Sequence, residues 1–200
     1  MLLYRKELRF MTNICLIRHG ETDWNSLGKI QGRTDIPLNS NGIRQAEQCR
    51  DYLKETSWDL IITSPLIRAK ETAAIINESL NLPIVEMAEF IERSFGDAEG
   101  KTKEERQVLY PDMLYPNAEP YWELAERLKQ GLADILQSYP QQKVLLVAHG
   151  AVIHTILRIL SNEEITLDNT YLTNACISNI HYKDSKWAIK DYNIVTHLQV

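Results

Sequence analysis

Three short runs of aliphatic residues stand out from an otherwise mixed pattern of polar and apolar positions. They cover residues 14–17, 60–62 and 144–148, and each run is too short to form an independent helix. Strands of a parallel sheet are covered on both faces and therefore show continuous apolar runs of this kind. We predict that the three runs are buried parallel strands.

Helical periodicity occurs between and after these runs. Residues 40–53 carry apolar side chains along one helical face, and a longer amphipathic helix is predicted from Tyr121 to near Tyr139-Pro140. Residues 177–182 and 187–192, joined by a polar turn, are typical of a closing hairpin. Because strands and helices alternate, we predict an α/β fold, a three-layer α/β/α sandwich in which a mostly parallel sheet has helices on both faces.

Charged residues follow two of the predicted strands directly. Arg18 and His19 come after the first run, and His149 comes after the last. Ligands of open α/β sheets bind beyond the carboxyl ends of the strands. We therefore expect His19 and His149 to meet at one site, although they are 130 positions apart.

A helix is predicted directly after the middle strand. Ser64 suits its N-cap and Pro65 its first position. Arg68 then lies in the first turn, and its side chain leans back toward the same edge of the sheet. Arg18 and Arg68 can together clamp a phosphate, because guanidinium groups match phosphate oxygens with two parallel hydrogen bonds.

His19 is the candidate nucleophile for such a phosphate. An imidazole with an ordinary pKa of ~6.5 keeps a lone pair at neutral pH, so it can attack phosphorus without a metal or a separate base. Its other ring nitrogen needs an acceptor that fixes the tautomer. The neighbouring carbonyl of Gly20 is the simplest candidate.

The motifs along the chain, taken in order, resemble those of the histidine phosphatase superfamily, which includes the phosphoglycerate mutases. The resemblance begins with residues 16–22, followed by Trp24-Asn25. It continues through Gln31-Gly32, Asp35-Ile36-Pro37-Leu38, Gly42, Thr63-Ser64-Pro65-Leu66, Arg68-Ala69, Thr72-Ala73, Glu92, Gly96, Glu99-Gly100 and Ala148-His149-Gly150. It spans about residues 14–152, and it implies a phosphoglycerate mutase-like fold and a phosphatase without metal or cofactor that works through phosphohistidine.

The resemblance also implies roles for further residues. Asn25 and Gln31 would donate neutral hydrogen bonds to the phosphate oxygens, and a protonated His149 would be a third positive donor. Glu92, in a segment that resembles the family's proton-donor segment, would protonate the leaving alkoxide and later take a proton from water. The sign of the Glu92 pKa shift stays open, because the phosphate raises this pKa and the nearby cations lower it.

The other histidines receive no catalytic or metal-binding role. His149 and His154 are five positions apart, which does not place two metal ligands on one helical face. We predict that His154 belongs to the core or supports the site. His181 and His197 are predicted to be exposed or packing residues.

The composition limits the location and the partners of the protein. A net charge of −5 gives no electrostatic case for nucleic acid or an anionic membrane. The longest apolar run, residues 144–148, is too short for a membrane span or a signal sequence. Three cysteines without CxxC spacing are predicted to be buried, reduced thiols. We therefore expect a cytoplasmic protein.

The domain organisation is predicted to be simple. A chain of 200 residues with 44% hydrophobic residues suits one domain that needs no metal or disulfide. The first predicted strand begins near Ile14, so Met11 is a candidate start of translation. We predict a single domain over residues 11–200 and a poorly ordered extension over residues 1–10.

Residues 95–122 form the least regular stretch, which we predict to be a lid over the site. Residues 95–120 contain six acidic and three basic residues. A mutase that binds the carboxylate of a phosphoglycerate is expected to carry extra cations there, so this charge favours a phosphatase of small phosphorylated metabolites. Two alternatives stay open: phosphoglycerate mutase-type transfer, and a non-catalytic phosphate-binding module. The pair His19 and Glu92 argues against the module, because a pure binder needs neither.

Overall fold

A computed structural model describes residues 11–166 and 170–199, and these residues are built on one six-stranded sheet. The predicted extension over residues 1–10 lies outside the described part. The strands are β1 (Thr12–Arg18), β2 (Leu60–Thr63), β3 (Ile84–Glu86), β4 (Lys143–Ala148), β5 (Ile177–Lys183) and β6 (Lys186–Ile194).

The sheet is mostly parallel, as predicted. Its strand order is β3-β2-β4-β1-β5-β6. The first four strands in that order pair in parallel, β5 adds antiparallel to β1, and β6 completes the predicted hairpin. The sequence pattern did not predict β3, which is three residues long and lies at the edge with two of its side chains exposed.

Six α-helices connect these strands in the described residues. They are α1 (Asp23–Ser26), α2 (Ser40–Leu53), α3 (Ile67–Asn77), α4 (Lys103–Leu109), α5 (Tyr121–Ser138) and α6 (Gly150–Leu160). The periodicity predicted α2 at its observed bounds and α5 to within two residues. It did not predict α4, which interrupts the stretch that looked irregular.

The predicted start of α3 is wrong. This helix begins at Ile67, and Leu66, in an extended conformation, is its N-cap without a side-chain hydrogen bond. Ser64 does not cap the helix because its hydroxyl contacts His149 and accepts the N–H of Leu66 instead. Arg68 still lies in the first turn, as predicted.

The two faces of the sheet carry separate apolar layers, which confirms the three-layer sandwich. Side chains alternate along a strand between the two faces. In β1, Ile14 and Leu16 pack with α5 and α6, whereas Cys15 and Ile17 pack with α2 and α3. β2 and β4 alternate in the same way, so helices cover both faces of the parallel strands.

The cysteines and the unassigned histidines belong to the packing of these layers. Cys15, Cys49 and Cys176 are buried and form no disulfide, as predicted. His154 is buried in α6. The Nε2 atom of His197 lies 3.3 Å from the Sγ atom of Cys49, which confirms a packing role for His197. Within the described ranges, no helix combines the length and the apolar character that crossing a membrane would need.

Candidate active site

A half-open cleft of about 230 Å³ lies at the carboxyl ends of β1, β2 and β4. The register pairs Arg18 with Ala148 and Thr63 with Val147. The residues that follow these strands are therefore neighbours. The cleft is lined by Arg18, His19, Asn25, Lys29, Ile30, Gln31, Gly32, Arg68, Glu92, Phe95, Gly150 and Ala151.

The turn after β1 fixes the orientation of the His19 ring. The backbone N–H of His19 donates to the carbonyl of Ala148, and its Nδ1 atom lies 2.7 Å from the carbonyl oxygen of Gly20. A carbonyl can only accept, so Nδ1 carries the proton and Nε2 carries the lone pair. This arrangement confirms Gly20 as the partner of His19.

The environment of His19 favours its neutral form. The imidazole is buried, and burial lowers its pKa well below 6.5; the charges of Arg68 and Arg18 lower it further. The Nε–H of Arg68 lies 3.3 Å from Nε2 of His19. The Nε2 atom is thus unprotonated and lies beside a cation.

A close approach of two glycines holds this turn against α2 and α3. A Cβ atom at Gly20 would lie 2.4 Å from the carbonyl oxygen of Gly42, at the start of α2. The N–H of Gly20 donates to the hydroxyl of Thr72 in α3. Larger side chains at Gly20 or Gly42 would therefore push the His19 turn away from the two helices.

Arg68 is fully buried and held by the loop before α2. Its Nη2 atom donates to the carbonyl of Gly32 at 2.7 Å, and its Nη1 atom donates to the carbonyl of Thr34 at 2.9 Å. Each terminal nitrogen keeps one further N–H. Arg68 therefore lies on the wall of the cleft, as predicted. Its hydrogen bonds to the two backbone carbonyls hold the guanidinium group rigidly in place.

Arg18 also lines the cleft. Its Nη1 atom donates to the carbonyl of Leu172, and its buried Nε atom has no hydrogen-bond partner in the described residues. A Cβ atom at Gly150 would lie 3.5 Å from this Nε atom. Two guanidinium groups thus border the same cleft, which is the arrangement that the sequence predicted.

His149 lies beside His19, as the sequence predicted. The ring centroids of the two histidines are 5.2 Å apart, yet His149 does not line the cleft. Burial, then the charge of Arg68, lowers the pKa of His149 well below 6.5 and so favours its neutral form. The role of His149 as a protonated donor to a bound phosphate stays a prediction. Its Nε2 atom lies 2.6 Å from the hydroxyl of Ser64, and its buried Nδ1 atom has no partner in the described part of the chain.

Asn25 and Gln31 both line the cleft. The Oδ1 atom of Asn25 accepts the N–H of Thr22, which orients the Asn25 amide. Gln31 is buried, and its Oε1 atom has no hydrogen-bond partner in the described ranges. The structure therefore brings both predicted amides to the cleft.

Glu92 is a buried carboxyl group on the wall of the cleft. Its Oε1 atom accepts the N–H of Arg93, and its Oε2 atom accepts the N–H of Ala151. Burial raises its pKa above the ordinary value and outweighs these hydrogen bonds and the charge of Arg68, which lower it. The sequence left the direction of the Glu92 pKa shift open, and in the structure the shift is upward.

The predicted lid reaches the cleft only through Phe95. Residues 96–98 form a short 3-10 turn, α4 follows, and no residue beyond Phe95 in the 95–122 stretch lines the cleft. Phe95 is flanked by the ring of Tyr115 and the guanidinium group of Arg93. Lys29 and Ile30, which the sequence did not single out, complete this mouth of the cleft.

The sequence assigned no supporting role to Glu99 or Asn174, because their partners are distant along the chain. Glu99 accepts the N–H and hydroxyl of Thr34 and the N–H of Phe95, so it ties the Arg68-binding loop to the Glu92 segment. Asn174 contacts the His19 turn. A signal for Asn174 existed, because a polar residue just before an antiparallel neighbour of β1 must lie at the carboxyl end of β1.

The described residues contain no group of three or more His, Cys, Asp or Glu side chains that could hold a metal ion. The side chains that line the cleft offer chemistry of their own. It combines a neutral imidazole, two guanidinium groups, two amides and a carboxyl group with a raised pKa. This set can bind a phosphoryl group, accept it covalently and supply a proton to its leaving group.

Comparison with known proteins gives a consistent result. The model of the histidine phosphatase superfamily (branch 1) matches residues 14–195. The chain is 58% identical over 188 residues to the uncharacterized phosphatase PhoE of Bacillus subtilis (strain 168), which covers 94% of this chain and 97% of that protein. It is 34% identical over 201 residues to the probable phosphoglycerate mutase GpmB of Klebsiella pneumoniae, which covers 93% and 92%.

A solved structure extends the similarity to three dimensions. Phosphoserine phosphatase from Entamoeba histolytica, in complex with 3-phosphoglyceric acid, aligns with a TM-score of 0.83 and 32% sequence identity. The alignment covers 94% of this chain and 100% of that chain. It confirms the predicted fold class.

Proposed function

The chain belongs to the histidine phosphatase superfamily, and on that premise we propose that it hydrolyses small phosphomonoesters through a phosphohistidine on His19. One observation carries the proposal most directly. The Nδ1 atom of His19 is held by the carbonyl of Gly20, so its unprotonated Nε2 lies in a cleft bordered by Arg18 and Arg68. The carboxyl group of Glu92 lines the same cleft.

In the first half-reaction, Nε2 of His19 attacks phosphorus and forms a P–N bond. The P–O bond to the leaving group breaks as Glu92 passes its proton to the leaving alkoxide. Charge spreads over the three equatorial oxygens in this step, so fixed donors on the wall of the cleft do most of the stabilisation. Arg18, Arg68 and the amide of Asn25 are such donors.

In the second half-reaction, water replaces the phosphoryl group on His19. The Glu92 carboxylate takes a proton from the water, whose oxygen attacks phosphorus as the P–N bond breaks. The electron pair of that bond returns to Nε2, and inorganic phosphate leaves. Glu92 has its proton again, so the cycle is closed without any other acid or base.

The acidic charge of residues 95–120 favours a phosphatase over a mutase, although Phe95 is the residue of that stretch that lines the cleft. Lys29 is the cation that lines the cleft in addition to Arg18 and Arg68, and the 95–120 stretch is acidic. The relatives include proteins named as phosphatase and as probable mutase, so the two activities need a direct test. The partner that we propose is a small phosphorylated metabolite in the cytoplasm, not nucleic acid or a membrane.

The first test is phosphate release by the purified protein. Substrates are para-nitrophenyl phosphate, sugar phosphates, phosphoglycerates, phosphoserine and nucleotides, each with and without EDTA. We expect release that EDTA does not reduce. His19→Ala should abolish both turnover and an acid-labile, base-stable phosphoenzyme, whereas His181→Ala, a control histidine on β5, should keep both.

Three outcomes would contradict this proposal. Activity that EDTA removes and a divalent cation restores would argue against the metal-free mechanism. Near-normal turnover by His19→Ala would place the nucleophile elsewhere. Binding of phosphate without release of phosphate from any ester would support the non-catalytic module.

A second test separates hydrolysis from mutase activity. With 3-phosphoglycerate as substrate, the products are glycerate and inorganic phosphate for a phosphatase, and 2-phosphoglycerate for a mutase. We expect phosphate release to exceed isomerisation. Isomerisation faster than release would favour the mutase alternative.

A further inference from the structure

One buried side chain links the two residues that we propose for attack and for phosphate binding. The Nδ2 atom of Asn174 lies 3.1 Å from the carbonyl oxygen of His19 and 3.1 Å from the Oδ1 atom of Asn25. It also lies 3.4 Å from the carbonyl oxygen of Gly20. Because β5 runs antiparallel to β1, the turn before β5 brings Asn174 to the end of β1.

The hydrogen bonds of Asn25 leave one orientation for its amide. The Oδ1 atom accepts from the N–H of Thr22 at 3.2 Å, the hydroxyl of Thr22 at 3.1 Å and the Nδ2 atom of Asn174. If the amide turned over, its NH₂ group would face these three donors. The Nδ2 atom of Asn25 makes no hydrogen bond within residues 11–166 and 170–199, and Asn25 lines the cleft.

We propose that Asn174 is a positioning residue that holds the Asn25 amide with its NH₂ group toward the phosphoryl group. One N–H of Asn174 binds Oδ1 of Asn25. The other N–H lies within hydrogen-bond distance of the carbonyls of His19 and Gly20. The Gly20 carbonyl in turn fixes the tautomer of His19. Asn174 does not line the cleft and acts through its neighbours. The inference rests on the proposed function, in which Asn25 binds phosphate and His19 attacks it.

A structural contribution of Asn174 must be separated from this role. Asn174 is buried, and removal of any buried amide that makes hydrogen bonds lowers the free energy of unfolding. Such a loss does not depend on the residue at position 25. A loss of phosphate affinity that acts through Asn25 must disappear once Asn25 itself is replaced.

The experiment is a double-mutant cycle on vanadate affinity with Asn25→Ala, Asn174→Ala and the double variant. Each single change should weaken vanadate binding by about tenfold, because Asn25→Ala removes the hydrogen bond to the anion and Asn174→Ala releases the amide that makes it. The double variant should bind no more than about threefold more weakly than Asn25→Ala. Asn179→Ala is the matched control, because the Asn179 amide donates to Asp191 away from the cleft. It should keep wild-type affinity.

A spectroscopic measurement accompanies the cycle. The side-chain NH₂ signals of Asn25 should shift on vanadate binding in the wild-type protein and in Asn179→Ala, and should not shift in Asn174→Ala. Asn174→Leu keeps the branched shape of the side chain, with more bulk, and removes its donors. It replaces Asn174→Ala if urea unfolding shows that the alanine variant does not fold.

Losses that multiply in the double variant would overturn the positioning role, as would an equal loss in Asn179→Ala. If the wild-type protein binds vanadate and hydrolyses phosphomonoesters, but the affinity losses of the two single variants multiply in the double variant, this inference alone is refuted. A wild-type protein that neither binds vanadate nor releases phosphate would refute the proposed function, and the positioning role with it.

Discussion

At the scale of single residues, His19 and Glu92 are both buried, and burial changes their protonation in opposite directions. It lowers the pKa of the His19 imidazole, whose charged form is a cation, and raises the pKa of the Glu92 carboxyl, whose charged form is an anion. A neutral imidazole and a protonated carboxyl are the forms that the first half-reaction needs. One desolvated cleft therefore favours both starting states.

Glu92→Gln should separate proton donation from nucleophilic attack. An alkyl phosphate needs a proton on its leaving oxygen, whereas para-nitrophenyl phosphate needs little. General acid catalysis contributes ~10² to 10⁴ in rate, so turnover of the alkyl ester should fall toward that range while the activated ester still phosphorylates His19. Rapid-quench assays of both esters measure the difference.

The phosphoenzyme provides the control for this variant. Glu92 also activates water in our proposal, so an acid-labile, base-stable phosphoenzyme should accumulate in Glu92→Gln. Small and equal losses on the two esters, without an accumulated intermediate, would remove Glu92 as proton donor.

At the scale of secondary-structure elements, an ion-pair cluster connects the loop before α5 to α5 and to the Glu92 segment. The carboxylate of Glu119 accepts two hydrogen bonds from Arg127 of α5 and lies 3.3 Å from Arg33. Arg33 in turn donates to the carbonyl of Glu92. Burial raises the pKa of Glu119, but its bonds to Arg127 and the charge of Arg33 outweigh this effect and lower it. The cluster therefore anchors the segment that carries Glu92.

Glu119→Gln should destabilise the protein more than the same change at a surface pair. Its side chain is 7% exposed, and loss of one partner of a buried pair costs about 3 kcal/mol. Glu78→Gln is the matched control: Glu78 pairs with Arg50 at 2.7 Å but is 60% exposed, so its loss should cost less than about 1 kcal/mol. Urea unfolding measures both values, and equal losses would contradict an anchoring role.

At the scale of the whole molecule, the buried histidines make stability depend on pH. The pKa values of His19, His149, His154 and His197 are all lowered, with burial as the leading cause. Unfolding returns these imidazoles to an ordinary pKa of ~6.5. The unfolded chain therefore binds more protons than the native protein once the pH falls below that value, and protonation favours unfolding.

The free energy of unfolding should accordingly be lower at about pH 5.5 than at about pH 7.5. Glu92 has the opposite sign, since its raised pKa contributes stability below its ordinary value that is lost as the pH rises through its native pKa. The four imidazoles outnumber it in this range. Urea unfolding at the two pH values measures the difference.

His154→Gln provides the control for this pH effect, because it removes one imidazole with a lowered pKa that does not line the cleft. The difference in unfolding free energy between the two pH values should become smaller in this variant. Equal or greater stability of the wild-type protein at the lower pH would contradict the prediction. One cooperative transition in the same experiment would support the predicted single domain over residues 11–200.

The sequence by itself determined the elements whose pattern is local. Residues 14–17 and 40–53 formed the predicted strand and helix because apolar periodicity depends on neighbours along the chain. The same holds for His19, whose position follows from the end of β1 and whose tautomer depends on the adjacent Gly20. The order of local motifs was also sufficient to indicate the family.

Only the tertiary structure decided what depends on residues brought together from distant parts of the chain. The burial of His149, which lowers its pKa, follows from packing among other elements. The upward pKa shift of Glu92 has the same origin. Asn174 reaches the His19 turn across 155 positions because β5 adds antiparallel to β1, a pairing that no local periodicity encodes. Hydrogen-bond partners and protonation are properties of the folded neighbourhood, so the sequence could name the reacting groups but not their surroundings.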